Sequence, residues 1–233
     1  MTGELIMLTV QTALQPAEVG LLQGESLLGS RRIEDRLAVC RRLASEISLL
    51  LHAARKTPEQ VGLVIVCLGP GSFTGVRIGV AAAKAFAHAR GIPIVGITSL
   101  EAAAASRPAE AGDRAVFLPA GKGRFFAASY QADSSVSRAP TMIARDDLPD
   151  WLAQPRVQEI EAPIIISCGP AEASLRAAAA ALGREVLEVF PGSAVLGRLG
   201  LARFHQQGSA DPLGLQPFYL RPSSPEERTA EVA

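Results

Sequence analysis

The chain reads as an α/β protein of two related domains, each with a mixed sheet flanked by helices. Three observations predict this. Each half opens with antiparallel strands and continues as alternating strands and helices. One segment, Leu63 to Leu68, is apolar throughout, as a strand covered on both faces must be. The alternation breaks at the small and polar stretch 106–113, which divides the chain into 1–106 and 107–233.

In the first half, Leu5 to Val10 and Val19 to Leu22 read as a hairpin turning around Gln15-Pro16. From Arg36 to Ala54 the apolar residues Leu37, Cys40, Leu43, Ala44, Ile47, Leu50, Leu51 and Ala54 recur at three-and-four spacing, the signature of an amphipathic helix. Thr57-Pro58 can start a helical turn, because Thr caps well and Pro suits the first helical position. The apolar strand 63–68 runs into Gly69-Pro70-Gly71-Ser72-Phe73-Thr74-Gly75. An Ala-rich helix follows from Val76 to His88 and stops at Gly91. Pro93 to Ile97 is a further strand, and Ser99 can cap a helix to Ala105.

The second half repeats the scheme. Ala115 to Leu118 and Arg124 to Tyr130 pair through the turn Gly121-Lys122-Gly123. Strands 164–167 and 186–189 then alternate with helices 171–182 and 194–206. The polar tail 223–233 is expected to fray.

Composition bounds the function. Hydrophobic residues are 48% and charged residues 20%, enough for a substantial core. Lys plus Arg equals Asp plus Glu at 23 each, so no net field draws the chain onto nucleic acid, and strong direct tRNA binding is not expected. Cys40, Cys67 and Cys168 fit neither a disulfide framework nor a metal motif, which points to a reducing cytoplasm. There is no basic stretch ahead of an apolar run at the N-terminus, and no segment nears about 20 apolar residues in a row, so neither a signal peptide nor a membrane span is expected. His52, His88 and His205 are solitary, so no metal site is expected.

The loop from Gly69 to Gly79 admits two readings. Gly71, Ser72, Thr74, Gly75 and Arg77 could cradle an anion at the start of the helix. The same glycines could equally serve a tight turn and close packing, since the spacing matches neither GxxxxGK[ST] nor GxGxxG. Ser72 or Thr74 is placed to cap the helix. No catalytic nucleophile with a base at recognisable spacing accompanies them.

Gly69-Pro-Gly-Ser-Phe-Thr-Gly-Val-Arg-Ile-Gly79 strongly resembles the signature of the bacterial TsaB (YeaZ) family. The resemblance continues through Ala81 to Ala87 and Gly91 to Leu100, and returns in Pro217-Phe-Tyr-Leu-Arg221. It implies an actin-like fold of the acetate and sugar kinase, Hsc70 and actin class. It also implies a non-catalytic scaffold subunit in the synthesis of N6-threonylcarbamoyladenosine at position 37 of tRNA. The implied partner is a TsaD-type catalytic subunit, with a TsaE-type ATPase as a further partner and a homodimer as an alternative assembly. No cofactor is expected on this chain: ATP, metal and threonylcarbamoyl-adenylate belong to the partner subunits. By position, the resemblance puts the interface on the helices Arg36 to Ala54 and Val76 to His88, with Leu43, Ile47, Leu50, Leu51, Arg77 and Lys84 as contacts. The competing reading of the four apolar residues is ordinary packing within their own domain.

The chain departs from the family at three places. Val10-Gln11-Thr12-Ala13 replaces a strand followed by Asp-Thr-Ser, Leu118-Pro119-Ala120-Gly121 replaces an Ile-Asp-Ala-Arg pattern, and Val39-Cys40 stands where a His is usual. A neutral Gln11 is a poor Mg²⁺ ligand, because the ion prefers charged oxygens. This weighs against the alternative function, a small ATPase or phosphotransferase holding phosphate on the Gly69–Gly75 loop.

Overall fold

The computed structural model describes residues 4–107, 112–153 and 164–220. The first sheet begins as expected with β1 (Ile6–Gln11) and β2 (Ala17–Gln23) as an antiparallel hairpin. A third strand that the sequence did not reveal, β3 (Ser26–Ile33), extends it. β3 lies at the sheet edge, where Leu27 and Leu28 are exposed. All but one of its residues are exposed or half-buried, so its sequence carried no apolar alternation to find.

After a 3-10 turn over Arg36–Ala38 comes α1 (Val39–Ala53), then a 3-10 turn at Pro58–Gln60 with Thr57 and Gln60 forming a capping box. β4 (Val61–Cys67) pairs parallel with β1. Then come α2 (Phe73–Arg90), ended by Gly91 at φ +62°, β5 (Ile94–Ile97) and α3 (Ser99–Ala104). Thr98, not Ser99, caps α3, in a capping box with Glu101. The Ser99 hydroxyl is buried and donates to the Pro70 carbonyl at 2.7 Å.

The second sheet holds β6 (Arg114–Gly121), β7 (Arg124–Tyr130) and β8 (Val136–Ala144), then α4 (Leu148–Ala153), β9 (Ile164–Cys168), α5 (Ala173–Ala181), β10 (Val186–Val189) and α6 (Ser193–Gln207). β8, a second edge strand, and the short α4 were likewise not visible in the sequence. The strand orders, β3-β2-β1-β4-β5 and β8-β7-β6-β9-β10, are the same, with both central pairs parallel. The two halves are therefore copies of one topology.

The domains are interlocked by exchanged helices. α1 and α2 cover the outer face of the first sheet, while its inner face is covered by α6, the last helix of the second half. Conversely α3, the last helix of the first half, packs on β6, β7 and β9. Residues 193–220, expected with the second domain, thus lie on the first. Gly197 and Gly200 let α6 sit directly on Leu22 and Ile65: a Cβ added at either would stand 2.4 and 2.5 Å from them. One core runs through both sheets, joining Val116, Phe126 and Ile166 to the strands of the first, and a second core beneath α4 and α5 gathers Phe117, Phe125 and Trp151.

Arg203 locks the exchange, donating to the Gly96 carbonyl at 2.7 Å and pairing with Glu101. At the other end of the first sheet, buried Glu18 accepts from both the amide and the hydroxyl of Ser193, at 2.7 and 2.6 Å, and pairs with Arg32 at 2.9 Å. No described helix is long and apolar enough to cross a membrane. The tail 223–233, Arg221 of the terminal motif, and 108–111 of the inter-sheet stretch lie outside the described residues.

Candidate functional site

A cleft of about 530 Å³ opens between the domains, where the C-terminal ends of β4 and β9 face each other. Both strands end in Gly-Pro: Gly69-Pro70 and Gly169-Pro170, with Gly69 at φ +91° and Gly169 at φ +92°. This paired signal, visible in the sequence as Cys67-Leu-Gly-Pro and Cys168-Gly-Pro, marks the two rims of the cleft. Arg36, Leu118, Phe126 and Phe190, which also line it, were not singled out as site residues from the sequence.

The glycine loop is filled by its own protein. A Cβ on Gly71 would fall 2.3 Å from the Ala13 carbonyl oxygen, one on Gly75 2.1 Å from that of Thr12, and one on Gly79 2.0 Å from Thr12 Oγ1. The Ser72 amide donates to the Ala13 carbonyl at 2.8 Å, and the Thr12 hydroxyl donates to the Gly75 carbonyl at 2.7 Å. Ser72 is the N-cap, its hydroxyl accepting from the Gly75 amide at 3.2 Å. Thr74 is exposed on the first turn. Of the two readings of this loop, the geometry therefore supports close packing, because the β1–β2 turn occupies the space beside Gly71 and Gly75.

Gln11 explains that turn. Its buried side-chain carbonyl accepts from the Leu14 amide at 2.8 Å, and its NH₂ donates to the Pro16 carbonyl at 3.3 Å. Gln11 closes the turn onto itself with a neutral side chain. Among the cleft's described lining residues only Arg36 is charged, so no carboxylate there can hold Mg²⁺.

Arg77 and Lys84 both hold the chain's own C-terminal segment. The Arg77 guanidinium lies 3.8 Å from the Phe73 ring centre and donates to the Tyr219 hydroxyl at 2.9 Å. The Phe73 and Tyr219 rings are 5.3 Å apart. Lys84 donates to the carbonyls of Leu213 and Leu215, each at 3.0 Å. Arg77→Ala should loosen the end of this strap, where the Phe218 amide bonds the Leu68 carbonyl. Amide exchange at Phe218 is expected to speed up about fivefold while α2 is unchanged, and equal rates would show that Arg77 does not hold the strap.

Leu43, Ile47, Leu50 and Leu51, expected at a partner surface, point inward. All are under 9% exposed, in the core of their own domain. The stripe is wide because α1 packs across both β2 and β3, so the packing reading accounts for these side chains. Cys40, Arg41, Arg42, Ala44, Ser45, Ser48, Leu49 and His52 lie on the outward face. Burial pushes the Cys67 and Cys168 thiols above the ordinary range, so both are neutral, and of the two only Cys168 lines the cleft.

The comparisons agree with this architecture. The family described as TsaD: tRNA N6-adenosine threonylcarbamoyltransferase matches residues 39–167, more than half of the chain. An uncharacterized protein of Mycobacterium tuberculosis is 38% identical over 98 residues, 41% of this chain and 46% of that protein, so the chain spans less than half the length of that relative. The Bacillus subtilis protein named tRNA threonylcarbamoyladenosine biosynthesis protein TsaB is 28% identical over 194 residues, 78% of this chain and 79% of that one. A Pseudomonas aeruginosa crystal structure, described as an uncharacterized protein with similarity to peptidase YeaZ, superposes with a TM-score of 0.74 at 20% identity, covering 93% of this chain and all of that one. That likeness concerns the fold, which is the expected actin-like pair of domains. The chain belongs to the family described as TsaD: tRNA N6-adenosine threonylcarbamoyltransferase.

Proposed function

We propose that this protein takes part in the synthesis of N6-threonylcarbamoyladenosine at position 37 of tRNA, as a non-catalytic subunit that holds a TsaD-type catalytic subunit. The observation that carries the reading is the β1–β2 turn. Gln11 spends both of its polar atoms on closing it, and Thr12 and Ala13 fill the glycine loop opposite, so the elements that would grip a nucleotide grip each other. The relative from Bacillus subtilis supplies the pathway by its name. ATP, metal and threonylcarbamoyl-adenylate then belong to the partners, a TsaE-type ATPase among them, and the same face could pair two copies of this chain.

The partner sits, in this reading, on the outward side of α1 and α2, which lie side by side on the first sheet. Their exposed positions include Cys40, Ala44 and Ser48 on α1 and Ala81 and Ala85 on α2, small side chains that let another helix approach closely. Leu43, Ile47, Leu50 and Leu51 support this face from beneath, and Arg77 and Lys84 fix the strap beside it.

The test is size-exclusion chromatography with light scattering, on the protein alone and mixed with the TsaD homologue of the same organism. A one-to-one complex is expected, and the double variant Ala44→Arg, Ala81→Arg should abolish it while melting like the unaltered protein. If the unaltered protein forms no complex, the scaffold reading is wrong. If the variant binds as well as the unaltered protein, the partner sits elsewhere.

A further inference from the structure

The inter-domain cleft keeps its volume although the glycine loop beside it is filled. At about 530 Å³ it is within the range of small-molecule sites. Its first-domain wall is Leu14, Val76 and Phe73, and its second-domain wall includes Leu118, Phe126 and Phe190. The polar groups near it are mostly engaged. The Tyr219 hydroxyl is held by Arg77, the Ser72 amide is bonded to the Ala13 carbonyl and the Gly75 amide to the Ser72 hydroxyl, and the Cys168 thiol is protonated by burial. Arg36, exposed on the 3-10 turn before α1, is the one charged group among the described lining residues. The neighbouring Asp35 carboxylate is turned to the Leu37 amide at 2.8 Å.

We propose that this cleft binds a small aromatic monoanion, an aryl carboxylate or sulfonate, with its ring between the apolar walls and its acid group on Arg36. Charge count separates this ligand from a nucleotide. A polyphosphate carries several negative charges that need more than one guanidinium, or a metal held by carboxylates, and the described lining residues supply one guanidinium and no carboxylate. A single acid group matches a single fork of donors. Aromatic rings favour a flat ligand over an aliphatic one, since Phe126 and Phe190 can meet it edge to face.

The test uses the full chain and a fluorescent aryl sulfonate, anilinonaphthalene sulfonate, titrated to find its stoichiometry and then displaced by naphthoate or by its uncharged analogue naphthamide. One probe per chain is expected, with naphthoate displacing it about fivefold more effectively than naphthamide, the scale of one partly exposed ion pair. Arg36→Gln, at an exposed position that the fold tolerates, should bring naphthoate down to the level of naphthamide. Ala120→Trp, which fills the cleft from β6, should abolish probe binding with the thermal melt unchanged. The proposal is overturned if the folded protein does not bind the probe, if Arg36→Gln leaves the preference for naphthoate intact, or if Mg-ATP displaces the probe as effectively as naphthoate. Should Ala120→Trp lower the melt, the Arg36→Gln comparison alone decides.

Discussion

Gly75→Ala is expected to lower the melting temperature by about 6 to 12 °C, a loss of about 3 kcal/mol. Helix propensity predicts the opposite sign, since Ala is favoured over Gly by about 1 kcal/mol inside a helix. The clash reverses it. The added Cβ would stand 2.1 Å from the Thr12 carbonyl oxygen, a backbone atom in the turn that leaves β1, and Gly75 is fixed by its own carbonyl's bond to the Thr12 hydroxyl. Neither side can yield by rotating a side chain, so α2 must lift from the sheet. A thermal melt followed by circular dichroism at neutral pH checks this. An unchanged or raised melting temperature would mean that the loop has room, and would reopen the reading in which it holds an anion.

Glu18→Ala is expected to cost about 3 kcal/mol in urea unfolding at neutral pH, the scale for breaking a buried charged network. The carboxylate joins three elements, β2, β3 through Arg32 and the N-terminus of α6 through Ser193, and so ties the exchanged helix to the first sheet. Burial works to raise its pKa, but the Ser193 hydroxyl and amide and the Arg32 guanidinium outweigh it and hold the group below 4.5. The unfolded state therefore binds the proton more readily. Stability from this group is present above about pH 4.5 and is lost as pH falls through the lower folded value. Glu18→Gln should accordingly show a shallower loss of stability between pH 5 and pH 3 than the unaltered protein. Equal slopes would show that the charge of Glu18 contributes nothing.

The two cases mark what could be read in a one-dimensional chain. The glycine loop, the helix behind it and the apolar β4 were legible because each is local: a strand covered on both faces is apolar throughout, and a helix ends at a glycine with φ +62°. The strands β3 and β8 were not legible, because most of their residues are exposed or half-buried and no buried face imposes an apolar alternation on them. The residue that closes the first turn, Gln11, was noticed only as a lost charge. Its hydrogen bonds to Leu14 and Pro16 show what it does instead.

By itself, the sequence determined the class of fold, the duplication, the family signature and the absence of a charge where a nucleotide-binding turn would carry one. These depend on residue type and short-range periodicity, which sterics and burial impose locally. The tertiary structure alone decided that α3 and α6 change places and that Leu43, Ile47, Leu50 and Leu51 face their own core. It also decided that Arg77 and Lys84 hold the strap and that a cleft survives beside a filled loop. The physical reason is that an apolar stripe or a cation specifies what kind of neighbour it needs and not which one, so only the packing of segments distant in sequence, such as Glu18 on Ser193, selects the partner.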